Sequence, residues 1–137
     1  MKLIRVLFFI FYYSYSQEFA IVVNKKNPID SIKPIMIKRI FLGKSTKWSF
    51  GAKIAPIDHH PKSEIREEFS SLILEMRVKK VLKHWIKEMI RGKGKPPKMT
   101  REPHSIISYI KNNIGAIGYI RTSEITDDLK IVYVRNK

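Results

Sequence analysis

The chain of 137 residues has no cysteine. Thiol catalysis, thiolate metal sites, a disulfide framework and a lipid-modified N-terminal cysteine are therefore all excluded. Acidic residues are scarce: 12 Asp and Glu stand against 27 Lys and Arg, a formal net charge of +15. Such an excess asks for an anionic neighbour, whether headgroup, nucleic acid, cell-wall polyanion or small oxyanion, unless the basic faces are merely solvated. No apolar run reaches the roughly 20 residues needed to cross a bilayer. Internal repeats, low-complexity tracts and linkers are also missing. What is present is ordinary: a hydrophobic fraction of 44%, enough for one domain with its own core.

Catalytic patterns are missing as well. His59, His60, His84 and His104 show no HExxH spacing and no carboxylate at helical ligand spacing. Asp58, His59 and His60 are consecutive, and in an extended segment consecutive side chains point apart, so no metal site is expected. Ser63, Ser70 and Ser71 lack the context of a nucleophile elbow. The loop Gly92-Lys93-Gly94-Lys95 follows a helical pattern instead of a strand and lacks the spacing of a phosphate-binding loop. Neither an enzyme nor a cofactor is expected.

Residues 1–16 differ from the rest. Lys2 and Arg5 open the chain, Val6 to Tyr13 is unbroken apolar sequence, and Ser14-Tyr15-Ser16 ends it with small residues at alternate positions. Basic start, short apolar middle and small-x-small exit are the three parts of a secretory signal, which predicts cleavage before Gln17. A first buried strand or an interfacial anchor is the competing reading. With residues 1–16 as a signal, residues 17–137 form the mature domain, without a transmembrane span. Export lowers the prospect of nucleic acid as a partner, and none is expected.

Phe19 to Val23 reads as a strand buried on both faces. Ser31 to Leu42 reads as a helix with Pro34 in its first turn and Ile32, Ile35, Met36, Ile40 and Phe41 inward. Ile54 to Asp58 is a second strand, with Pro56 making it imperfect or near an edge. A helix capped by Ser63 carries the apolar stripe Ile65, Phe69, Leu72, Ile73 and Met76. Another carries Val78, Leu82, Trp85, Ile86, Met89 and Ile90, with Lys79, Lys80, Lys83 and Lys87 opposite. That lysine face is either a solvated helix side or a polyanion contact. A last helix covers Glu102 to Asn112, and strands follow at Gly115–Ile120 and Leu129–Val134. The alternation predicts an α/β domain with a mixed sheet of about four strands flanked by helices.

The turn from Asp58 to Arg66 is the strongest candidate for chemistry. A strand ends and a helix begins there, so free backbone N–H groups face outward beside Lys62, the Ser63 hydroxyl and Arg66. The plainer reading makes Ser63 an N-cap and Arg66 a surface residue.

Five segments in order resemble phosphate-binding periplasmic proteins of ABC transporters. They are Ile40-Phe41-Leu42-Gly43-Lys44 with Trp48, Ser63 with Phe69, Trp85, Gly92-Lys93-Gly94 with Pro96-Pro97, and Gly115-Ala116-Ile117-Gly118-Tyr119. The resemblance runs from about Phe19 to Val134 and is nearest to the short, single-lobe group. It implies a single lobe of a type II periplasmic-binding-protein fold, an exported, non-enzymatic solute-binding role, and phosphate or another oxyanion as ligand. His59, Lys62, Ser63 and Arg66 would be the anion contacts. The family pattern has an arginine four residues before the serine and then Ser-Gly-Thr, whereas this chain has His59 and Ser63-Glu64-Ile65. The departure implies weak binding. The alternative is an interaction or sensory module of the cell envelope, with an envelope protein or a second copy as partner.

If residues 1–16 are a signal, the intact mass of the exported protein will correspond to a chain beginning at Gln17. A mass that retains those residues would refute processing.

Overall fold

The computed structural model describes residues 18–136, so the proposed signal at 1–16 lies outside them. The strands are β1 (Phe19–Asn24), β2 (Ala55–His59), β3 (Lys98–Thr100), β4 (Ala116–Arg121) and β5 (Leu129–Arg135). The α-helices are α1 (Pro34–Phe41), α2 (Glu64–Phe69), α3 (Val78–Ile90) and α4 (Pro103–Lys111). The strands form one five-stranded sheet in the order β3-β2-β4-β1-β5. β2 runs parallel to β3 and β4, and β1 runs antiparallel to both β4 and β5. The class is α/β with a mixed sheet, as the pattern of apolar runs implied.

β1 organises the core because every one of its six residues is buried. Phe19, Ile21 and Val23 face one apolar layer, made with α1, α2 and α3; Ala20 and Val22 face the other, made with α4. Period-two alternation thus serves both layers from one strand. On the first side an aromatic cluster of Phe19, Phe41, Phe69 and Tyr119 fills the centre. Phe69 stacks on Tyr119 with ring centroids 3.9 Å apart, and Phe41 meets Phe69 edge-on at 4.8 Å.

Two glycines permit close contacts that a side chain would block. A Cβ on Gly115 would lie 1.9 Å from the Lys53 carbonyl oxygen. Its own carbonyl accepts both the Ala55 N–H and the Trp48 Nε1–H, each at 2.9 Å, which seats β2 against β4. Gly43 has φ +76°, and a Cβ there would come within 2.6 Å of the Trp85 ring. The turn after α1 is therefore shaped to receive the indole.

The structure departs from the sequence expectations in four places. A fifth strand, β3, pairs with the C-terminal half of β2, while the N-terminal half of β2 pairs with β4. Three residues with two exposed side chains carry almost no periodic signal. In α1, Ile37 joins the core while Ile35 and Met36 lie exposed. The α2 helix does not run straight to Met76: a π-helical turn (Ser70–Leu74) follows, and Glu75 ends it in the left-handed region. The Ser70 hydroxyl donates to the Met76 carbonyl and closes that bend. Lastly, α3 buries only Val81 and Trp85, leaving Leu82, Ile86, Met89 and Ile90 exposed. The indole's fit over Gly43 sets the rotation of the helix and turns that row outward.

Trp85→Ala is expected to destabilise the fold by about 3–5 kcal/mol, the range for truncating a large buried aromatic. Urea unfolding would measure it, and a change below about 1 kcal/mol would show that the indole is not part of the cooperative core.

Candidate functional site

β2 ends at His59, and the turn His60–Ser63 leads directly into α2. The Ser63 hydroxyl donates to the His60 carbonyl at 2.7 Å, and the His60 Nδ1 accepts the Lys62 N–H at 3.1 Å. These local bonds shape a tight turn. Ser63 stands at the N-cap, yet its side chain closes the turn instead of capping an α2 N–H.

Beneath the turn lies a buried polar network. Asp58 accepts hydrogen bonds from the Tyr119 hydroxyl and, at 2.9 Å, from the His59 backbone N–H. Its other oxygen is 3.6 Å from Arg66 Nε. Arg66 Nη1 donates to the His59 carbonyl at 3.0 Å and lies 3.4 Å from the Met99 sulfur on β3. The His59 ring Nε2 lies 2.6 Å from the Tyr119 carbonyl, which can only accept, so this nitrogen carries the proton. The network ties β2, α2 and β4 together through buried side chains and reaches β3 through the exposed Met99.

Burial governs the proton affinities. Loss of solvation raises the Asp58 carboxyl above its ordinary value, partly offset by Arg66 and the Tyr119 hydroxyl. Tyr119 is pushed well above the usual phenol range by burial and by the adjacent carboxylate. Loss of solvation lowers His59, against the opposing pull of the Tyr119 carbonyl and Asp58. The imidazole is held neutral.

Of the four candidate anion contacts, two lie inside and two outside. His59 and Arg66 are buried at 4% and 6% exposure and meet within the network. Lys62 is exposed and Ser63 half-buried, both on the outer turn. Glu64 and Glu67 occupy the first turn of α2 and bring negative charge to the same surface. The adjacent open depression, about 800 Å³, is lined by Lys62 and Arg77 but also by Glu67 and Glu75. Its charge is mixed. Tyr119 and Met99 complete this network and are not among the residues that the sequence pattern singles out as anion contacts. The one available signal was a phenol within an otherwise apolar strand, since a buried tyrosine hydroxyl usually has a partner.

Among the described residues, no group of three or more His, Asp or Glu side chains could share a metal ion. Nor is any described helix long and apolar enough to cross a membrane.

Residues 12–136 match the profile of a PBP superfamily domain. No curated protein sequence matches the chain. Its fold is similar to an ABC-type phosphate transport receptor from Vibrio cholerae, with a TM-score of 0.66 at 20% identity over 83% of this chain and 44% of the receptor. It is similar also to a putative phosphate ABC transporter substrate-binding protein with bound phosphate from Clostridium perfringens, with a TM-score of 0.68 at 24% identity over 83% of this chain and 43% of that one. A third similar structure, PstS from Borrelia burgdorferi, gives a TM-score of 0.61 at 15% identity, over 83% of this chain and 46% of its own. At these identities the likeness is one of fold, and the chain spans less than half the length of each of these structures.

The buried His59 makes stability depend on pH. Its folded pKa lies below that of the unfolded chain, so the unfolded state takes up the proton first as pH falls. The His59 contribution is therefore intact above about pH 6.5 and is lost progressively below it. Urea midpoints of the wild type should fall faster between pH 7 and pH 5 than those of His59→Gln. Parallel profiles would show that His59 titrates as it does in the unfolded chain.

Proposed function

The chain belongs to the PBP superfamily, and from that premise we propose that it is an exported, non-enzymatic binding-protein lobe that holds phosphate or another oxyanion weakly. The observation that carries this reading is the β2–α2 turn. There Lys62 and the first backbone N–H groups of α2 lie at the end of a strand and the start of a helix, while the Ser63 hydroxyl proton is already given to the His60 carbonyl. That class of ligand is supported by the similar fold of a phosphate transport receptor and of a putative phosphate ABC transporter substrate-binding protein with bound phosphate.

Weakness follows from the same residues. Arg66 is committed to Asp58 and the His59 carbonyl, so its charge is partly spent inside the fold. His59 is neutral and bonded to Tyr119, and its part is to position the turn. Glu64 and Glu67 repel an anion from the outer surface. Charge-assisted hydrogen bonds in an open site compete with water and are screened by salt. The expected dissociation constant is about 1 mM, near 4 kcal/mol of binding.

A second reading, an interaction or sensory lobe with no small-molecule role, is favoured by one feature. The cation best placed beneath the turn already has an internal carboxylate partner.

Calorimetry of phosphate and sulfate into the protein separates the two. Weak phosphate binding that strengthens in Glu64→Gly and is lost in Lys62→Gln supports the first. Micromolar binding by the wild type would overturn the argument for weakness, and heats no larger than dilution would favour the second reading.

A further inference from the structure

We propose that α3 is a membrane-surface helix that docks the protein on anionic lipid headgroups. Leu82, Ile86, Met89 and Ile90 recur at the spacing of one helical face, and they are 38%, 53%, 49% and 81% exposed. No described part of the chain covers this row. Val81 and Trp85 hold the helix to the core from another side, so the row can meet a surface without any rearrangement.

Charge identifies the occupant. Lys79, Lys80, Lys83, Lys87 and Arg91 are all exposed along the flank of the apolar row. The single acidic residue of the helix, Glu88, is half-buried. Protein–protein contacts are depleted in lysine around their apolar cores, so a protein partner fits this surface poorly. A helix with an apolar face and a lysine-rich flank instead suits a lipid interface, with the apolar side chains at the acyl boundary and the ammonium groups among phosphates. Lysine stems can lie along the apolar row while their charges reach the headgroups. Each basic residue near an anionic surface strengthens binding roughly fivefold. The inference does not use the β2–α2 turn and stands whether or not that turn holds an oxyanion.

The lack of cysteine allows a local test in the full chain. Ile90→Cys and, on the α4 side of the sheet, Asn112→Cys would each carry one polarity-sensitive fluorophore. Vesicles of phosphatidylglycerol with phosphatidylcholine are compared with phosphatidylcholine alone. The expected result is a blue shift of the label at 90 on anionic vesicles only, with none at 112 and reversal by high salt. Adding Lys79→Gln, Lys80→Gln, Lys83→Gln and Lys87→Gln should raise the lipid concentration for half-maximal shift at least about tenfold. Unchanged emission of the buried Trp48 and Trp85 would confirm that each variant is folded. A silent label at 90, equal shifts at both positions, or a shift that rises with protein concentration in the absence of lipid would overturn the proposal. The last result would assign the face to a second copy of the chain.

Discussion

The Tyr119 hydroxyl lies in the middle of the molecule, and much of the structure depends on how it is satisfied. Its ring stacks on Phe69 and is fully buried, so the phenol cannot reach water. Asp58 accepts its hydrogen bond, and a carboxylate at that depth then needs a cation of its own. Arg66 supplies it from α2 and spends its remaining reach on the His59 carbonyl. One buried phenol thus requires a carboxylate, a guanidinium and a helix held at a set distance from two strands.

The same chain of requirements shapes the outer turn. Arg66 is drawn inward, and burial of the imidazole beside it disfavours its protonation. The turn joins a strand end to a helix start and carries an exposed lysine and a serine bonded to its own backbone. The electrostatics behind it are directed toward the core.

Local patterns were legible in the sequence where burial is uniform. Phe19 to Val23 reads as a strand covered on both faces, and β1 is buried at every position. The Trp85 indole was recognisable as a core residue. The rotation of α3 was not legible, because two apolar rows share that helix and contacts with distant residues decide between them, Trp85 over Gly43 and the His84 ring on the Leu42 carbonyl. β3 was hidden because its pairing comes from β2, about forty residues away, and not from its own side chains. The Asp58–Tyr119 bond spans sixty-one positions, and no pattern local to either residue encodes it. For the candidate site, the sequence placed the turn correctly between a strand and a helix but did not reveal which side chains point away from it.

The position of β1 has a consequence for the order of assembly. This strand sits between β4 and β5, with Phe19 opposite both Arg121 and Arg135. The centre of the sheet cannot close until a ribosome has finished almost all of the described chain. Loops of about a hundred residues must then be brought together in one late step, which slows folding relative to a fold built from neighbours. Until that step the nascent polypeptide exposes its most apolar strand without a partner, the kind of surface through which incomplete chains aggregate.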